Sequence, residues 1–160
     1  MLLDGDNRST LPWWHSIEEA AHALGLEPQQ ALVRTGQDID AAVRAFAQPG
    51  KGSMVIAPQN LFVSNRARII AAAARERLPA VDGTPPFASE GGLLSYSVDV
   101  RDQFLRVASY VDRILKGEKP GDLPVQLPAR FKLTINLKTA RALGLSVPAT
   151  LLARADDVIE

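Results

Sequence analysis

The chain has 160 residues, 46% of them hydrophobic, and its 18 lysines and arginines balance 18 aspartates and glutamates. That balance leaves no monopole to hold a nucleic acid or an anionic membrane. The lack of any cysteine excludes disulfides, thiolate nucleophiles and cysteine-ligated metal. No stretch approaches the roughly 20 apolar residues of a membrane span, so no membrane insertion is expected.

The opening, MLLDGDNRSTLPWWH, reads as polar and turn-rich up to Leu11. It has no basic n-region, and its apolar run is broken at Asp4, so a chain that truly starts at Met1 is expected in the cytoplasm. Adjacent Trp13 and Trp14 cannot both face one side of a regular element. They bury against a neighbour or mark a surface. Ser16 with Glu19 makes a capping-box pattern for a helix through Ile17, Ala20, Ala21 and Leu24 to Gly25. Leu26 to Arg34 alternates weakly and reads as a strand, with Leu32 and Val33 inward.

Thr35 with Asp38 forms a second capping box, and Ile39, Ala42, Val43 and Phe46 give the next helix its apolar stripe up to Pro49-Gly50. Ser53 to Asp82 then reads as a βαβ unit. The run SMVIA closes at Pro58 and Asn60, the turn chemistry that ends a buried strand. Ser64 or Asn65 caps a helix with Ile69, Ile70, Ala73 and Ala74 on one side, and LPAVD supplies the second strand. Ligands of such units sit beyond the carboxyl ends of the strands, here Pro58-Gln59-Asn60 and Asp82-Gly83-Thr84.

GTPPFASEGG has no periodicity and reads as a surface loop. Leu93 to Val98 is a further strand, entered through Gly91-Gly92, where glycine permits positive φ or a close approach. Asp99 or Asp102 caps a helix with Phe104, Val107, Ala108, Val111, Ile114 and Leu115 on its apolar face, closed by Gly117. A proline-punctuated crossing leads to Phe131 to Ile135, whose clean alternation marks an edge or half-exposed strand. Asn136 caps a helix ending at Gly144, and Pro148 opens a last helical turn or two. The pattern predicts an α/β fold, a three-layer Rossmann-like open sheet that is mostly parallel.

Little in the residues suggests catalysis. His15 and His22 have no patterned carboxylate beside them, so no metal is expected. There is no G-x-S-x-G elbow and no glycine-rich phosphate loop, so neither an enzyme nor a bound cofactor is expected. Arg66, Arg68, Arg75 and Arg77 read as a solvated helix face. The polar groups expected at the strand ends are Asn60, Asp82, Thr84, Ser95 and Tyr96. They offer donors, acceptors and one aromatic ring without an activated nucleophile, a set suited to holding a small polar molecule.

Several motifs together resemble one family. They are Gly91-Gly92-Leu93 with Ser95-Tyr96, then Ile114-Leu115-Lys116-Gly117 with Lys119-Pro120 and Asp122-Leu123-Pro124, and Asn136-Leu137-Lys138-Thr139-Ala140 with Leu143-Gly144. Ser64 to Ile69 and Arg77 to Ala80 agree as well. From about Glu18 onward the chain resembles the C-terminal half of ABC-transporter substrate-binding proteins of the TrpX-like periplasmic family, which is related to type I periplasmic binding proteins.

The resemblance implies two Rossmann-like lobes closing on a small ligand, aromatic amino acids in some relatives, and an ABC permease as partner in the periplasm. By it, residues 1–17 are an N-terminal segment packed by the tryptophans, and 18–98 are the second-lobe core. Residues 99–160 supply a crossover helix, a final strand and C-terminal helices within the same compact unit. The chain departs from the family in carrying Pro58-Gln59-Asn60, Tyr96-Ser97 and Asp82-Gly83-Thr84-Pro85-Pro86, and in lacking the preceding lobe. A helix over 102–116 that packs on such a lobe exposes its apolar face when alone, so a homodimer is expected. The competing expectations are a cytoplasmic dimeric ligand-sensing module and, more weakly, an α/β enzyme.

Overall fold

The computed structural model describes residues 1–47 and 52–160. The expected helix stop at Pro49-Gly50 lies outside them. Seven strands form one sheet: β1 (Leu2–Asp4), β2 (Ala31–Val33), β3 (Met54–Ile56), β4 (Ala80–Asp82), β5 (Leu94–Val98), β6 (Phe131–Asn136) and β7 (Asp157–Ile159). Their order is β2-β1-β3-β4-β5-β6-β7. Every neighbouring pair is parallel except β5 with β6. The mostly parallel open α/β sheet is as the sequence predicts.

Two strands escape the sequence pattern. β1 lies inside the stretch read as polar turns, yet Leu2 and Leu3 are fully buried between β2 and β3. Three residues followed by Asp4-Gly5 are too few to show a period, and neighbours on both sides supply the pairing. β7 follows the last helical turn and pairs with β6, with Lys132 Nζ donating to Asp157 at 3.1 Å across the ladder.

The first helix, α1 (Thr10–Ala23), starts six residues before the expected cap. Ser16 lies within it, and its hydroxyl donates back to the Pro12 carbonyl instead of capping. The helix separates the two tryptophans: Trp14 is 7% exposed and joins the core, while Trp13 is 43% exposed. On β2 Val33 faces inward, with Ala31 partly buried on the same side, and Leu32 points outward, as alternation along a strand requires. The second capping box forms as read. Asp38 accepts from both the N–H and the hydroxyl of Thr35 at 2.9 Å, and α2 (Ile39–Phe46) buries Ile39 and Val43.

After β3 come α3 (Asn60–Ser64) and α4 (Arg66–Arg75), the latter burying Ile69, Ala72 and Ala73. The segment read as a surface loop contains α5 (Pro86–Ser89), and Phe87 and Ala88 are fully buried. A single turn is too short for helical periodicity, though the paired prolines suit its start. The Gly91-Gly92 pair belongs to the same packing. Gly91 has φ +113°, and a methyl at Gly92 would lie 2.2 Å from the Phe87 ring.

α6 (Val100–Leu115) is capped by Asp99, whose carboxylate accepts from the N–H groups of Arg101 and Asp102. α7 (Leu137–Leu143) is capped by Asn136 and closed by Gly144 at φ +73°. α8 (Ala149–Leu152) is the last helical turn before β7. The main core lies around β1, β3 and β4 and is covered by α1, α2 and α4. α6 stands outside it and buries no residue.

Candidate functional site

The strand order β2-β1-β3-β4-β5 has its topological switch between β1 and β3, where successive connections leave in opposite directions and open a crevice at the carboxyl edge. Asp4-Gly5 ends β1 and Ala57-Pro58-Gln59 follows β3. Three side-chain contacts close the floor of this crevice. Gln59 Oε1 accepts from the Asp4 N–H at 2.8 Å, Gln59 Nε2 donates to Thr10 Oγ1 at 3.2 Å, and the Thr10 hydroxyl donates to the Asp4 carbonyl at 2.6 Å. Gln59 and Thr10 are both buried. Sequence reasoning missed Asp4 and Thr10 because it missed β1. The short apolar Leu2-Leu3 before Asp4-Gly5 was the available signal.

One strand further on, Asp82 ends β4 and is 3% exposed. Its Oδ1 accepts from the Thr84 N–H at 2.6 Å. Burial pushes its carboxyl above the usual range, opposed by the Thr84 hydroxyl and N–H and by the charge of Arg66. Thr84 Oγ1 is shielded from solvent and acts on the Asp82 carboxyl beside it, but among the described residues it meets no partner in full hydrogen-bond geometry. Arg66 begins α4 and is gripped by Glu90 through two contacts, of 2.8 and 2.6 Å. This hydrogen bonding holds the Glu90 carboxyl below its ordinary value. Gly83 keeps the β3 and β4 ends close, since a Cβ there would come within 3.2 Å of the Pro58 ring.

Asp82, Thr84 and Ser95 are brought together. Ser95 pairs in register with Asp82, is buried, and donates its hydroxyl to the Pro85 carbonyl at 3.3 Å. Asn60 is exposed at the start of α3, beyond the neighbouring strand end. Tyr96 is not brought to this group. It lies mid-strand, on the opposite side of β5 from Ser95, and stacks on Phe131 with ring centroids 5.6 Å apart.

Two concavities lie at the amino edge of the sheet. One of about 290 Å³ is lined by Ile70, Ala73, Leu78, Phe87, Leu93 and Leu143. Another of about 440 Å³ is lined by Met1, Trp14, Ile17, Leu26, Phe46 and Val55. Among the described residues there is no cluster of metal ligands, and no helix is long and apolar enough to cross a membrane.

A mostly parallel open sheet with polar side chains gathered at its carboxyl edge defines a Rossmann-like α/β lobe. The family model described as ABC transporter substrate binding protein matches residues 8–159, and the chain belongs to that family. It is a family of binding proteins, not of catalysts.

No curated protein matches the chain. Among solved structures, a conserved domain protein from Vibrio cholerae superposes with a TM-score of 0.85 at 25% identity, covering 98% of this chain and 53% of its own. The ABC domain from Streptococcus pneumoniae, solved in complex with L-Trp, gives a TM-score of 0.85 at 23% identity, over 99% of this chain and 53% of its own. A ligand-free, open substrate binding protein with adhesive properties from Clostridium difficile gives 0.73 at 16% identity, over 99% and 52%. The chain therefore spans about half the length of these proteins.

Proposed function

We propose that this chain forms one wall of a solute-binding site in an ABC transport system and takes a small polar or aromatic metabolite at the carboxyl edge of its sheet. The observation that carries this reading is the family match across residues 8–159. In this reading Asp82 and Thr84 face the solute with Asn60 beside them, and Ser95 holds the Pro85 turn behind them. A carboxyl buried at a strand end is an acceptor for an ammonium group, and the Asn60 amide and Thr84 hydroxyl add neutral donors and acceptors. The aromatic face of Tyr96 lies across the strand and serves the site only through a second body packed on that side.

The L-Trp complex of the Streptococcus pneumoniae relative makes aromatic amino acids the first probes to try. An ABC permease is the expected receiver of the solute, and the periplasm the expected compartment. A thermal-shift screen of the proteinogenic amino acids tests the reading. A ligand at 100 times its Kd stabilises the folded state by about 2.7 kcal/mol, which raises the melting temperature. Asp82→Ala removes that rise while the unliganded protein still melts cooperatively. A folded sample whose melting no amino acid shifts counts against the reading.

A further inference from the structure

Among the described residues Arg77 alone, apart from glycines, has a positive φ, at +52°. It follows the last turn of α4, where the Leu78 N–H donates to the Ala73 carbonyl, a left-handed helix ending that glycine normally takes. The chain does use glycine at the ends of α1, α6 and α7, in Gly25, Gly117 and Gly144. An arginine in that position carries backbone strain. Its one structural contact does little to offset this, since Nη2 donates to the Ala142 carbonyl of α7 at 3.4 Å, the long end of hydrogen-bond reach.

That contact lays the guanidinium across the rim of the 290 Å³ concavity at the amino edge, because Leu78 and Ala142 both line it. The floor is apolar, with Ala73, Leu78, Ala80 and Phe87 all buried. Lys138 lies one turn before Ala142 on the same face of α7 and adds an ammonium group to the rim. It stands in the first turn of that helix, where the dipole disfavours a cation, so helix stability does not account for it. Among the described residues neither Arg77 nor Lys138 pairs with a carboxylate, and Glu76 beside Arg77 pairs with Arg75 at 3.3 Å. Every wall lies between Ile70 and Leu143, so neither end of the chain takes part.

We infer that this concavity is a second binding site, apart from the carboxyl-edge wall, for a monocarboxylate with a small apolar body. A short aliphatic chain or a single aromatic ring fills the apolar floor, and the carboxylate meets Arg77 and Lys138 at the rim. The volume is near the lower limit of about 300 Å³ for small-molecule pockets, which holds the body to that size. A free amino acid is a poor occupant, because its ammonium group would face two cations.

Amide NMR titrations of the chain with octanoate and with octylamine test this. Octanoate is expected to give saturable shifts at Ile70, Leu78, Phe87, Thr139 and Leu143. Octylamine, an apolar body of the same length with the opposite charge, is expected to bind about tenfold more weakly or worse. Lys138→Glu, at an exposed position, is expected to weaken octanoate binding by a similar factor with an unchanged circular dichroism spectrum. Arg77→Gly relieves the left-handed backbone, so it is expected to melt no lower than the parent and yet to bind octanoate more weakly. Equal affinity for the two probes, an octanoate affinity that both variants leave unchanged, or no saturable shift overturns the proposal. Octanoate shifts that gather at Asp82 and Thr84 instead also overturn it. Neither probe is an amino acid, so this proposal stands or falls apart from the preceding one.

Discussion

Gln59 Nε2 donates to Thr10 Oγ1 at 3.2 Å, which ties the turn after β3 to the first turn of α1 across the switch point of the sheet. The same side chain accepts from the Asp4 N–H. A buried amide that serves two partners is costly to remove, because both are left unsatisfied. Gln59→Leu is predicted to lower stability by about 1–3 kcal/mol, measured as a fall in the urea midpoint with unchanged slope. An unchanged midpoint would show that water replaces the side chain without cost.

Asp82 gives stability a pH dependence opposite to that of the paired surface carboxylates. Burial raises its folded pKa above the unfolded value. Between the two values the folded chain holds the proton more tightly, so this contribution is full below the unfolded pKa and is lost as pH rises through the raised one. Asp40 behaves the other way. Hydrogen bonds from Arg75 and Arg68 lower its pKa, so its contribution is present above the ordinary value and fades as pH falls through the lowered one. Asp82→Asn keeps an oxygen for the Thr84 N–H and removes the buried charge. It is predicted to gain stability over the parent at neutral pH, with the gain shrinking as the solution is made acidic. Parallel urea curves at all pH values would show that Asp82 is solvated in the folded state.

Much of this was legible in the residues, and the failures have physical reasons. β-branched and apolar runs closed by Pro58 and Asp82 marked β3 and β4, and the Thr35–Asp38 and Asn136 caps formed where their spacing put them. β1, β7 and α5 were missed because three or four residues carry no period, and none of them lies in a longer apolar run such as Ser53 to Ala57, which marked β3. Missing β1 hid the switch point, and with it Asp4 and Thr10. Asp82, Thr84 and Ser95 could be named as strand-end polar residues. That Ser95 and Tyr96 face opposite sides of β5 follows from alternation, but which side meets the strand end depends on the register with β4.

Gly92 should be irreplaceable for steric reasons. A methyl there lies 2.2 Å from the fully buried Phe87 ring, so Gly92→Ala must displace it. Overpacking of this kind costs about 1–3 kcal/mol, and the melting temperature is predicted to fall. Pairing it with Phe87→Leu, which makes room, should recover part of the loss relative to Phe87→Leu alone. Strict additivity of the two substitutions would place the methyl elsewhere.

α6 has no buried residue to anchor it, so its cap carries more of the burden of holding the helix start. Asp99→Ala is predicted to cost about 1 kcal/mol and to speed amide exchange locally at Arg101, Asp102 and Gln103, whose N–H groups face the cap. Exchange that rises equally along the whole chain would mean that α6 unfolds only with the global transition.

The most direct measurement of the central claim is an amide NMR titration of the chain with L-tryptophan and the other proteinogenic amino acids, repeated across pH. Shifts are predicted to concentrate at Asn60, Asp82, Gly83 and Thr84, with an affinity that tightens as pH rises through the raised Asp82 pKa, because an ammonium group prefers the ionised carboxylate. Saturable shifts confined to the amino-edge concavity around Ile70, Phe87 and Leu143, or no shift with any amino acid, would contradict it.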